Sequence, residues 1–176
     1  MPVLQQGLVQ VYTGEGKGKT TAALGLVLRA TGWGLHSYIV QFMKSQPTGE
    51  AEAVKQLAPY VTLERFGRPG FVRKGNPAPE DLALAHTGLE HARAALLSGE
   101  YDLVILDEVN TAVSFGLLTE REILELIDSK PSHVELVLTG RDASAGLIAR
   151  ADLVTRMVEE KHPYQRDVGA RRGIEF

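Results

Sequence analysis

Nine residues near the start of the chain, Thr13-Gly14-Glu15-Gly16-Lys17-Gly18-Lys19-Thr20-Thr21, follow the apolar run Leu8-Val9-Gln10-Val11-Tyr12. They are the residue types that grip phosphate. The glycines let backbone N–H groups close around phosphate oxygens, Lys19 meets the charge, and the Thr20 hydroxyl can hold Mg²⁺. A loop of this kind between a first strand and a first helix selects a nucleoside polyphosphate as ligand. Its spacing is unusual. The common pattern is G-x-x-x-x-G-K-[ST], and counting back from Gly18 puts Thr13 where the first glycine belongs. A second lysine, Lys17, sits inside the loop.

A second segment, Leu103-Val104-Ile105-Leu106-Asp107-Glu108, is an apolar run ending in two carboxylates. Ligands of open α/β sheets bind outside the carboxyl ends of strands, so these carboxylates should reach the same crevice as the phosphate loop. Asp107 and Glu108 are therefore candidate metal-side residues, with Thr20. Thr139-Gly140-Arg141 ends the next apolar run. Arg141 there either meets a phosphate as a planar fork of donors or pairs with a surface carboxylate. The stretch 65–76 combines Arg65, Arg68, Arg73 and Lys74 with Phe66 and Phe71, a composition suited to a binding loop or a solvated surface loop. Of the histidines, His86 and His91 are five residues apart and do not share a helix face. His162, flanked by Lys161 and Arg166, is the one placed to matter. Trp33, beside Gly32 and Gly34, reads as a packing residue.

The elements that must position these groups alternate. Strands are expected at 8–12, 37–43, 61–66, 103–106, 134–138 and 153–157, and helices at 19–29, 50–57, 80–97, 143–149 and from Thr119 to about 128. The 80–97 helix carries Leu82, Ala85, Leu89, Ala92 and Leu96 at three- and four-residue spacing, with Gly99 closing it. Thr119 and Glu122 form a capping box. Residues 67–79, with three prolines and three glycines, are turn-rich. Strands alternating with helices imply an open, mostly parallel sheet covered on both faces, an α/β fold of the P-loop NTPase type. One domain over residues 1–176 is expected.

The bulk numbers agree. The chain is 44% hydrophobic and 23% charged, with a net charge of −3, so overall charge makes no case for nucleic acid. It has no cysteine, which excludes disulfides, thiolate zinc sites and a cysteine nucleophile. Neither a membrane span nor a signal peptide is expected, and the cytoplasm is the expected compartment.

Taken together, these residues resemble the P-loop-type ATP:corrinoid adenosyltransferases, also called cob(I)alamin adenosyltransferases. The loop 11–23 is similar to that family's G-x-G-K-G-K-T-T loop. Gln41-Phe42-Met43-Lys44 with Gly49-Glu50, Leu106-Asp107-Glu108-Val109-Asn110 and Gly116-Leu117-Leu118 resemble further family segments. So do Thr139-Gly140-Arg141, Ala151-Asp152-Leu153-Val154, Lys161-His162-Pro163-Tyr164 and the ending Arg172-Gly173-Ile174-Glu175-Phe176. The resemblance spans nearly the whole chain from Gly7.

The resemblance implies that cob(I)alamin, or cob(I)yrinic acid diamide, attacks the 5′-carbon of ATP, that the adenosyl group moves to cobalt and that triphosphate leaves. It implies a cytoplasmic homodimer, a flavoprotein as possible reductant, and ATP lying reversed along the loop. It places Thr13 to Thr21, Lys44, Phe71 and Arg73 at the ATP and corrinoid sites. It gives Lys17, Lys19 and Arg141, with Mg²⁺ held on Thr20 and Glu108, the task of offsetting triphosphate charge. Alternatives are a P-loop ATPase or kinase acting at the γ-phosphate, or a nucleotide-binding regulator without chemistry. Two departures stand out. Gly70-Phe71-Val72-Arg73 aligns with a family G-F-T-W segment whose aromatics crowd the lower corrin face, and Arg73 replaces the tryptophan. Some family members cover the site with an N-terminal extension; only six residues precede Gly7, so closure over the corrinoid is expected to come from elsewhere or to be looser.

Overall fold

The computed structural model describes residues 4–176. Its elements follow in the order β1 (Val9–Thr13), α1 (Lys19–Thr31), β2 (Ser37–Phe42), α2 (Gly49–Val54), β3 (Val61–Phe66), α3 (Pro79–Leu97), β4 (Leu103–Asp107), α4 (Val109–Ser114), α5 (Glu120–Asp128), β5 (Glu135–Thr139), α6 (Ala145–Arg150) and β6 (Leu153–Arg156). The six strands form one sheet in the order β3-β2-β4-β5-β1-β6, every pairing parallel. The expected α/β architecture is therefore present. No helix among the described residues is long and apolar enough to cross a membrane.

The sheet is covered on both faces, which is why its central strands read as unbroken apolar runs. Val104 and Leu106 of β4 pack into one core with Leu89, Ala92 and Leu96 of α3 and Leu126 of α5. Leu103 and Ile105 of the same strand face the other core, with Ala23 and Val27 of α1 and Val54 of α2. The two-residue alternation along a strand sends neighbours to opposite layers. The five-residue stripe expected on α3 is buried apart from Leu82, which packs at the core margin. The Thr119 box caps α5: the Thr119 backbone N donates to Glu122 Oε2 at 2.7 Å, and the Glu122 N donates back to Thr119 Oγ1 at 3.3 Å.

Two expectations need revision. Helix α4 follows β4 directly, where no helix is expected; at six residues it is too short to show a helical period. Trp33 is not a packing residue. It is 81% exposed, in the turn that closes α1, and borders an apolar hollow with Leu4, Leu26 and Leu35. The left-handed Gly34, φ +74°, lets the chain reverse while the indole stays outside.

Candidate functional site

The carboxyl ends of β1, β2, β4 and β5 deliver the expected residues to one edge of the sheet. Thr13 is the last residue of β1 and is buried. Its hydroxyl accepts from the Ala143 N at 3.2 Å, and its carbonyl accepts from the Met157 N at 2.8 Å. This explains the missing first glycine: the position is a strand end with an anchoring task, and a side chain serves it. The turn begins one residue later. Gly14 has φ +99°, and a Cβ there would stand 2.3 Å from the Met157 carbonyl oxygen. Gly18, the residue before α1, has φ +119°. A side chain at Gly14 would have to displace the Met157 main chain just beyond β6, and at Gly18 the left-handed backbone itself strains any residue but glycine.

Lys19 folds over this loop. Its ammonium donates to the carbonyls of Gly14 and Gly16, each at 2.7 Å. Burial pushes its pKa below the ordinary lysine value, with Glu108 opposing. Thr20, the next residue, donates to Asp107 Oδ1 at 2.8 Å.

Asp107 is the hub of the site. It is buried at the end of β4 and accepts four hydrogen bonds: Thr20 and Thr139 (2.7 Å) on Oδ1, Lys44 (2.6 Å) and Gln41 (3.1 Å) on Oδ2. Four elements are tied through one carboxylate. Glu108 follows with φ +64°, a left-handed conformation uncommon outside glycine, and its N–H is held by Thr139 Oγ1 at 3.0 Å. That turn re-aims the chain, so Glu108 faces the cleft while Asp107 points inward. Thr111 of α4 donates to Glu108 Oε2 at 2.6 Å and accepts from the Arg141 N at 3.1 Å, linking the ends of β4 and β5.

A cleft of about 590 Å³ opens above these groups. Glu15 to Thr21, Lys44, Glu108 and Arg141 all line it. Thr13, Gly14 and Asp107 do not; they form the framework behind. The two readings of Arg141 meet here. It faces the cleft, and its Nε lies 3.4 Å from Glu15 Oε2, both groups more than half exposed. Phe71 and Arg73 are not brought into this cleft. They border a separate hollow with Arg68, Asn76 and Pro77, and Phe71 is 99% exposed. Their loop nevertheless reaches the same sheet edge: Lys74 pairs with Asp142 at 3.1 Å, next to Arg141. His162 reaches the cleft, whereas His86 and His91 pair with Glu122 and Glu64 away from it. Sequence reasoning gave no chemical role to Thr111, Glu159 or 173–176, which also face the cleft. The ending 172–176 carries a family signal, but nothing local indicates that it folds back on the loop.

A metal would find few ligands in the protein itself. Among the described residues no group of three or more His, Cys, Asp or Glu could hold one. This suits Mg²⁺, which is commonly held by one or two side chains together with phosphate oxygens and water.

An all-parallel sheet with a glycine-rich loop between β1 and α1, a buried lysine, and a threonine–aspartate link to a neighbouring strand define a nucleotide-binding α/β protein of the P-loop NTPase type. Within that class the chain belongs to the ATP:corrinoid adenosyltransferase BtuR/CobO/CobP family, whose model matches residues 5–176. Similar proteins include the corrinoid adenosyltransferases of a Sinorhizobium species (35% identical, covering 98% of this chain and 81% of that protein) and of Pseudomonas aeruginosa (35%, covering 98% and 85%). The corrinoid adenosyltransferase CobA of Salmonella typhimurium is 31% identical, covering 98% and 87%.

Proposed function

We propose that the cleft holds ATP with its triphosphate on the loop 13–21, and that the protein transfers the 5′-deoxyadenosyl group to the cobalt(I) of a corrinoid, cob(I)alamin or cob(I)yrinic acid a,c-diamide. The observation that carries this reading is the convergence of four cations, Lys17, Lys19, Lys44 and Arg141, on one cleft. The cobalt electron pair forms the bond to C5′. The C5′–O bond breaks, and its pair leaves on triphosphate. Cobalt goes formally from I to III, and the products are an adenosylcorrinoid and triphosphate.

The nucleophile is the substrate's own metal, so the protein need not generate one. Its work is to orient C5′ and to offset the charge gathering on the leaving group. Lys17 and Lys19 approach from the loop, Lys44 from beyond β2 and Arg141 from the end of β5. The exposed Arg141–Glu15 pair is weak enough to exchange for a phosphate contact. Thr20 and Glu108 would hold Mg²⁺ on the triphosphate, where it supplies further positive charge. Asp107 acts from behind, through Thr20 and Lys44. The resemblance extends the proposal to a cytoplasmic homodimer supplied by a flavoprotein reductant.

The test is anaerobic incubation with ATP, Mg²⁺ and chemically reduced cobalamin. A light-sensitive alkylcobalamin and triphosphate are expected in equal amounts. Orthophosphate in place of triphosphate would instead indicate γ-phosphate chemistry, and nucleotide binding without either product a regulator.

Phe71 is assigned to the lower face of the corrin, the role that the resemblance implies. A side chain this exposed contributes little to the fold, so Phe71→Ala should change unfolding stability by less than about 0.5 kcal/mol. It should diminish the four-coordinate cob(II)alamin signal formed with ATP present. An unaltered spectrum would remove Phe71 from the site.

A further inference from the structure

Residues 171–176 lie against the phosphate loop, more than 150 positions away in sequence. Gly173, Ile174, Glu175 and Phe176 form one wall of the nucleotide cleft. Glu175 is the centre of this contact. Its Oε1 accepts from Lys17 Nζ at 3.0 Å, and Ile174 O lies 3.4 Å from the same ammonium. Arg171 grips the same carboxylate from behind, with its N at 2.7 Å and Nε at 3.3 Å from Oε2, and Nη2 at 3.0 Å from Oε1. The lysine held in this way is the one that the common phosphate-loop pattern does not include.

We propose that Glu175 is a positioning residue for the adenosyl transfer: it fixes Lys17 beside the loop with a donor left for the triphosphate, which makes 171–176 part of the nucleotide site. This rests on the reading of 13–21 as the triphosphate loop. An ammonium has three donors. Glu175 and Ile174 O engage two, and the third is available to a phosphate oxygen. A lysine on a flexible stem loses rotamer freedom when a ligand fixes it, and the ion pair imposes that ordering before the ligand arrives. The alternative is that Glu175 mimics a phosphate and competes for Lys17. Charge argues against this. The single negative charge of Glu175 lies between Lys17 and Arg171, so the cluster keeps a net positive charge toward the cleft. Arg171, more than Lys17, holds the Glu175 carboxyl down at about 2, so the group stays ionised at any working pH. Arg171 also restrains the carboxylate from following Lys17 inward.

Glu175→Gln removes the charge and keeps the shape, at a pair whose lysine side chain is 48% exposed and whose carboxylate side chain is 21% exposed. Calorimetric titration with ATP and with tripolyphosphate, in Mg²⁺ and without corrinoid, reads the effect directly. Both dissociation constants should rise roughly twofold to fivefold, the range of a half-exposed pair. In a Lys17→Ala background the same substitution should change nothing, a coupling that a merely structural role would not produce. Tighter binding by Glu175→Gln would make the carboxylate a competitor. Undiminished weakening without Lys17 would mean that the segment acts by another route. Either result, or no change at all, overturns the proposal. Unaltered protein that bound neither ligand would overturn the triphosphate-loop reading with it; normal binding and an unaffected variant overturn the role of Glu175 alone.

Discussion

Lys19→Ala is expected to lower kcat/KM for adenosyl transfer by about 100- to 1000-fold, the cost of deleting one preorganised donor aimed at developing negative charge. Lys19 is only 8% exposed and already fastened to two loop carbonyls, so its charge stands beside the cleft before the nucleotide enters. Its burial disfavours the charged form, and an arriving triphosphate reverses that penalty. Removing the side chain removes both the charge and the preorganisation. The fold should survive. The space that the Lys19 side chain vacates opens on the cleft, so water can enter it and serve the freed carbonyls, and stability should fall by no more than about 1 kcal/mol. Lys19→Arg is not expected to rescue turnover, because a planar guanidinium does not fit the buried point where the Gly14 and Gly16 carbonyls both reach one ammonium. Anaerobic turnover with cob(I)alamin, with triphosphate release and thermal unfolding measured alongside, checks each part. Turnover within about tenfold of the unaltered protein would remove Lys19 from the chemistry.

What the sequence made legible follows from where the physics is local. The buried strands announce themselves because parallel strands covered on both faces cannot alternate: Leu103 to Leu106 is apolar throughout, and all of β2 is buried. The phosphate loop is legible because its glycines answer a local backbone demand. Helix α4 was hidden because six residues carry no period, and its start depends on the left-handed turn at Glu108. The division of labour between two adjacent carboxylates was hidden for the same reason. Sequence offers Asp107 and Glu108 as equivalent metal-side groups, and the turn between them sends one inward and one to the cleft. Long-range contacts were least legible of all. Nothing in the local sequence around Lys17 announces Glu175, and only the folded chain brings them to 3.0 Å.

The largest effect on stability is expected from Asp107→Ala. Four donors converge on this carboxylate, and three of them, Thr20, Thr139 and Gln41, belong to strands or helices that cannot swing away. Alanine leaves all four without an acceptor and Lys44 without its countercharge, a change of the kind that costs about 3 to 5 kcal/mol when one partner of a buried pair is removed. Lys44 keeps 25% of its side chain exposed and can turn toward water in the cleft, so about 3 kcal/mol is expected. Asp107→Asn should be milder. Its remaining oxygen can still serve Thr20 and Thr139, and Gln41, whose Oε1 has no partner, can rotate its amide to accept from the new NH₂ group. Only the Lys44 pair is then lost. Urea unfolding without nucleotide or Mg²⁺ therefore separates two roles for this residue. A carboxylate serving solely as a metal ligand would leave the metal-free protein as stable as before, or stabilise it on removal. A carboxylate that organises four elements destabilises it, alanine more than asparagine, and part of the loss disappears in a Lys44→Met background, where one of the stranded donors is already gone.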